Sequence, residues 1–344
     1  MSKVDIGVIM NTNKVKYSLL EPMIKEVYHN KNSNEVYMYL DVYSIIMQLV
    51  KNNEISYGYN ALCSGIINIC GHYRHFFRKY GIDTTFFIYS LNSYSEIYNK
   101  IVPDFNYCNI NALSGHSYSE MIFENLSMLS TIIKYIPRVY YIQSNIFEPV
   151  VHFKHMIKTS LESNNNIAHI ILSKDPSMFQ LCNISDMVSV IRTKPRDSSY
   201  IVSKDTLINK YLEFERKVKT RSEIISPELF SIILATSPYK CMSALVNINS
   251  VIKNLEFAIS NRRITNGYPY DIGSVLNLFK NYNYEEMHRR FGAVDLKLLY
   301  GLYVNKYKAY MHIDSYITDI QDADSVNNLN NFEFKDYPID VMSL

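Results

Sequence analysis

A chain of 344 residues has room for two domains of about 100 to 200 residues each, or for one core with a substantial helical appendage. With 47% hydrophobic and 20% charged residues it has the composition of a folded protein, which excludes wholesale disorder. A formal net charge of +2 excludes a general attraction to nucleic acid or anionic membranes, so any such binding must come from local patches.

The amino terminus, MSKVDIGVIMNTNK, has an apolar run too short for a signal peptide, and no stretch approaches the ~20 apolar residues of a membrane span. The expectation is a soluble, intracellular chain without membrane contact. Residues 1 to 34 read as an extension packed on the core that begins at residue 35. In EVYMYLDVYSIIMQLV, residues 35 to 50, a short strand ends at Asp41 and runs into an apolar helix. An acid at a strand's carboxyl end is well placed for a site in a parallel sheet.

ALCSGIINICGHYRHFFRKY predicts an amphipathic helix ending at Gly81, and TTFFIYS a second buried strand, together a βαβ unit with a right-handed crossover. Residues 91 to 120 are rich in Asn and Ser and contain one lysine, Lys100; SEMIFENLSMLSTIIKY is then a long helix. RVYYIQ, AHIILS and DMVSVIRT are further strands, separated by the helix PVVHFKHMIKTSLE and the short helix SMFQL. Strands and helices therefore alternate over residues 36 to 193, predicting an α/β core of about five mostly parallel strands flanked by helices.

From residue 204 to 311 the chain is almost wholly helix-like, with TLINKYLEFERKVK, SPELFSIILAT, INSVIKNLEFAISN and DLKLLYGLYVNKYKAYM the clearest segments. The expected organisation is an extension (1–34), an α/β core (35–203), a helical region (204–311) and an acidic tail (312–344). Five cysteines (Cys63, Cys70, Cys108, Cys182, Cys241), odd in number and without C-x-x-C spacing, predict reduced, mostly buried thiols. Thirty tyrosines, abundant Asn, Ile and Lys, and no tryptophan are what an AT-rich coding sequence produces, pointing to a virus, a phage or a reduced genome.

The order of these elements resembles the 5′-nuclease family of flap endonucleases and phage 5′-3′ exonucleases. The segment that carries the resemblance best is Ser173-Lys174-Asp175-Pro176-Ser177-Met178-Phe179-Gln180-Leu181, similar to the family's Ser-x-Asp-x-Asp-x-x-Gln-Leu. The resemblance covers roughly residues 36 to 260. It implies a carboxylate site that holds two divalent metals for phosphodiester hydrolysis, with Asp41, Glu148 and Asp175 standing at three of the acid positions.

Other acid positions are lost. Ser90 stands where the family's Phe-Asp pair has its aspartate, Val150 and Val151 replace two adjacent aspartates, and Ser177 replaces the second aspartate of the best motif. ILATSPYKCMSALVNINSVIKNL, aligned in order with the family's DNA-gripping hairpin, has neither its acids nor its glycines, and the 91–120 insertion lacks the basic residues of the family's arch. The resemblance therefore implies a catalytically impaired nuclease fold retaining at most one weak Mg²⁺ or Mn²⁺ at Asp41, Glu148 and Asp175.

Each acid also has a structural explanation. Asp41 and Asp175-Pro176 suit helix caps, and Glu148 with Pro149 suits a helix start. His152 and His155, three apart on one helix, are spaced for a transition metal but have no third ligand nearby in sequence. Basic residues gather at Arg192, Lys194 and Arg196, at Arg216, Lys217, Lys219 and Arg221, and at Arg262-Arg263 and Arg289-Arg290. Of these, Arg192, Lys194, Arg196, Lys217, Lys219 and Arg221 are the candidate DNA or RNA contacts, and the acidic tail is a candidate protein-docking segment. The expected role is a nucleic-acid-associated or protein-binding component in a host-cell interior or a virion. The alternatives are an active enzyme with an unorthodox site and a structural or assembly protein using the fold as a scaffold.

Overall fold

Strand β1 (Glu35–Asp41) is the centre from which the sheet is built. A computed structural model describes residues 35–42, 61–90, 126–143, 148–192, 200–218, 224–238, 243–267 and 270–307. From β1 the chain passes through helix α1 (Ala61–Arg78) to β2 (Asp83–Ser90), which pairs parallel with β1. Gly81, at φ +71, ends α1: its N–H bonds the Arg78 carbonyl and that of Ile82 reaches Phe77, a turn in which the left-handed residue is best without a Cβ.

β3 (Val139–Gln143) adds in parallel outside β2, and helix α2 (Pro149–Ser163) returns the chain to β4 (Ala168–Ser173) on the other side of β1. A 3₁₀ segment (Pro176–Asn183) leads to β5 (Val188–Arg192), parallel to β4. The sheet has six strands in the order β3-β2-β1-β4-β5-β6, and β6 (Tyr200–Val202), too short to show a pattern in sequence, is antiparallel. Every residue of β4 is buried, as expected of a strand covered on both faces.

Strand order reverses between β1 and β4. In open α/β sheets the carboxyl ends of strands at such a reversal form the crevice that takes ligands.

The helical region contains α3 (Leu207–Lys210), continuing into a π turn (Tyr211–Glu215), α4 (Phe230–Thr236), α5 (Ile248–Ser260), α6 (Ile272–Asn277), α7 (Tyr284–Val294) and α8 (Leu296–Tyr307). One buried hydrophobic cluster runs from the sheet into these helices. At its junction the fully buried Phe179 meets Tyr200, Tyr211 and Phe230, with ring centroids 6.3, 6.4 and 6.0 Å away. Cys63, Cys70 and Cys182 are buried free thiols, and burial pushes Cys70 and Cys182 up to about 12. Among the described residues no helix is long and apolar enough to cross a membrane. The 1–34 extension, the 91–120 insertion, the acidic tail, Cys108 and Cys241 lie outside the described residues.

Candidate functional site

The register puts Leu40 opposite Leu172, so Asp41 and Ser173 stand level at the carboxyl ends of the two strands that flank the reversal. Their side chains meet: Ser173 Oγ donates to Asp41 Oδ2 at 2.8 Å, with Asp41 only 1% exposed. Ser173 Oγ in turn accepts from the Asp175 N–H at 2.9 Å, and Asp175 Oδ1 accepts from the Ser177 N–H at 2.9 Å. Hydrogen bonds thus run from the Asp41 carboxylate through Ser173 Oγ to the Asp175 backbone, and the Asp175 carboxylate is occupied separately by Ser177. Asp175 has the position and bonding of a helix cap, and Pro176 follows it at the first helical position.

Glu148 is brought to the same edge by α2. Tyr89, level with Asp41 in the register, lies 4.9 Å ring to ring from His152, one turn beyond Glu148, and Phe153 lies 5.2 Å from Tyr39. The first turns of α2 therefore lie over the ends of β1 and β2. Glu148 is the N-cap residue of α2 and is buried, yet its side chain makes no capping bond; Pro149 starts the helix with its fixed φ.

Val150 and Val151 are 3% and 0% exposed, members of the hydrophobic core at the positions where the resemblance calls for two aspartates. Among the described residues no three His, Cys, Asp or Glu side chains form a group that could hold a metal ion. Asp41, Glu148 and Asp175 share one edge without forming such a group. A donor set of this kind does not fit a two-metal centre, since hard cations need several converging oxygens.

His152 and His155 take part in aromatic packing between α2 and α8. His152 is buried against Tyr89 and Tyr303, and burial pulls its pKa down to about 3. His155 Nδ1 lies 3.3 Å from the Tyr300 hydroxyl, and its ring faces Tyr303 at 5.2 Å.

The basic candidates divide. Arg192 Nε is held by Glu215 Oε1 at 3.0 Å in a mostly buried ion pair, while Lys217 is exposed. Arg216 lies over the Tyr211 ring and bonds its hydroxyl, and Arg289 and Arg290 both pair with Glu286. Lys194, Arg196, Lys219 and Arg221 lie outside the described residues. The sequence alone assigns no partner to Ser173 and gives no prominence to Lys154, Lys158 or Lys297. The Lys-x-x-x-Lys spacing in α2 is the one local signal for the first two of these lysines.

The architecture is that of a 5′-nuclease-like α/β fold. In particular, the chain is similar to a zinc-bound T5 5′-exonuclease, with TM-score 0.52 and 14% identity over 82% of this chain and 96% of that one. It is similar to the same phage's protein co-crystallised with metal ions (TM-score 0.52, 14% identity, covering 87% of this chain and 100% of that one). It also matches a bacteriophage T5 flap endonuclease in a pseudo-enzyme-product complex with DNA and metal ions (TM-score 0.50, 14% identity, 82% and 96%). No family model matches the sequence, and no curated protein does.

Proposed function

We propose that this protein is a catalytically impaired 5′-nuclease-like protein of a phage or virus that associates with DNA without cutting it. The observation that supports this reading is the hydrogen-bonded crevice, in which the Asp41 carboxylate accepts from Ser173 and that of Asp175 from the Ser177 N–H, while Val150 and Val151 sit in the core. Two-metal hydrolysis needs carboxylates that converge on the ions, and its electrostatic stabilisation is lost without them. The reading allows a single weakly held Mg²⁺ or Mn²⁺ at these acids and excludes a catalytic pair.

DNA is the favoured nucleic acid because a bacteriophage T5 flap endonuclease of similar fold was crystallised with it. Contact would run along the basic segments at Lys194 and Arg196 and at Lys217, Lys219 and Arg221, where ammonium and guanidinium groups would displace counterions from phosphates. Arg192 contributes through its bond to Glu215, which anchors the end of β5 from which the first segment departs.

The test is fluorescence anisotropy with labelled flap, duplex and single-stranded DNA in Mg²⁺ or Mn²⁺, with the products run on a denaturing gel. The expected result is salt-dependent binding with the DNA left intact, weakened by Lys217→Ala/Lys219→Ala/Arg221→Ala. Metal-dependent cutting overturns the impairment, and absence of binding to all three substrates overturns the nucleic-acid role.

A further inference from the structure

Away from the crevice, α2 and α8 border a cleft of about 1110 Å³ that gathers three lysines. Lys154 and Lys158, one turn apart on α2, both place their ammonium groups over the ring of Tyr300, 4.8 and 5.4 Å from its centroid. Lys297 lines the same cleft from the start of α8. Among the described residues neither Lys154 nor Lys158 has a carboxylate within ion-pair distance.

Among the described residues two acids line the cleft, Asp295 and Glu228, and both also hold other partners. Asp295 accepts from the Tyr270 hydroxyl at 3.1 Å and from the N–H groups of Lys297 and Leu298, capping α8. Glu228 pairs with Lys204 at 3.5 Å and accepts from Ser226. The remaining wall is largely apolar, with Ile184 and Leu296 among its members. Burial lowers Lys154 to about 8; the nearby Asp295 carboxylate opposes this, and the Lys158 and Lys297 charges add smaller contributions to it. A negative charge entering the cleft would favour the charged form of Lys154 against the cost of its burial.

We propose that the cleft between α2 and α8 binds a small organic anion, its phosphate or carboxylate on Lys154, Lys158 and Lys297 and its apolar body against the Ile184 and Leu296 wall. Several cations converging on one end of a concave apolar site are the chemistry that recognises such a ligand. The site is independent of the reading of the crevice, because none of its residues belongs to the strand-end acids.

The test uses 1-anilinonaphthalene-8-sulfonate, an anion with an apolar body, beside its uncharged relative N-phenyl-1-naphthylamine, on the full chain. The expected result is saturable binding of the sulfonate at one per chain, weakened at least tenfold in Lys154→Met/Lys158→Met and unchanged in Lys253→Met, a lysine outside the cleft. Circular dichroism melting of each variant confirms that it is folded. Thymidine monophosphate and dodecanoate serve as competitors: displacement by the first identifies an organic phosphate, and by the second a fatty carboxylate. Equal affinity for the uncharged probe, a double variant within twofold of the parent, or displacement by neither competitor overturns the proposal.

Discussion

The start and the middle of helix α2 meet charged residues on opposite terms. At its start, the strand-end aspartates are bonded to a serine and to backbone N–H groups of their own chain. In its middle, Lys154 and Lys158 face a cleft and stack on an aromatic ring. A charge whose hydrogen bonds close within the fold contributes to folding, whereas lysines gathered in a cleft without a carboxylate, among the described residues, at ion-pair distance from Lys154 or Lys158 favour an anionic ligand. The edge where the resemblance expects a metal site is thus closed by hydrogen bonds within the fold.

The sharpest way to break the comparison is to restore the missing acids. Val151→Asp puts a carboxylate at a fully buried core position, and we expect a loss of about 4 kcal/mol or more in denaturant unfolding and no gain of nuclease activity. A stable, metal-binding Val151→Asp protein would show that the edge is a site awaiting its ligands.

Acid titration probes the packing of α2 on the sheet, through His152 of α2 and His169 of β4. Burial lowers His152 to about 3 and His169 to about 4, so both are neutral in the fold and protonated more readily when unfolded. Their contribution is complete above the unfolded value of about 6.5 and is lost as the pH falls from there towards 4. Each buried histidine then costs about 1.4 kcal/mol per pH unit. Urea unfolding from pH 7 to 4.5 should show this slope, reduced in His152→Phe.

Smaller effects separate the two aspartates. Asp41→Ala removes the buried acceptor of the Ser173 hydroxyl and should cost about 2 kcal/mol. Asp175→Ala removes a cap and should cost about 1 kcal/mol. Thermal unfolding that leaves Asp41→Ala as stable as the parent would contradict a structural role for that carboxylate. Smallest of all, Lys154→Met should change stability by no more than about 0.5 kcal/mol, since it keeps the apolar stem and removes a crowded charge. The same variant should weaken anion binding.

How much of the molecule is legible in its sequence depends on which signals are local. EVYMYLD, TTFFIYS, RVYYIQ, AHIILS and DMVSVIRT are apolar runs bounded by turns or charges, and each is a strand. β6 is three residues long, too short to declare a period, and α7 is dense in charge with a glycine near its end, which hides the Met287, Phe291 and Val294 stripe that it buries. The strand-end acids are legible because they terminate recognisable strands. Their bonding is not, since Asp41 and Ser173 are 132 residues apart and meet only through the β1–β4 register. The lysine cleft depends in the same way on packing of α2 against α8, which no local pattern encodes.

The measurement that bears most directly on the central claim is the number of Mn²⁺ ions held at the crevice, counted by electron paramagnetic resonance with a phosphorothioate flap DNA present. The account predicts no pair of tightly held ions beyond those of the DNA alone, and no difference between the parent and Asp41→Ala/Asp175→Ala beyond one weak ion. Two tightly bound ions per chain, lost in that double variant, would contradict it and make the crevice a working metal centre.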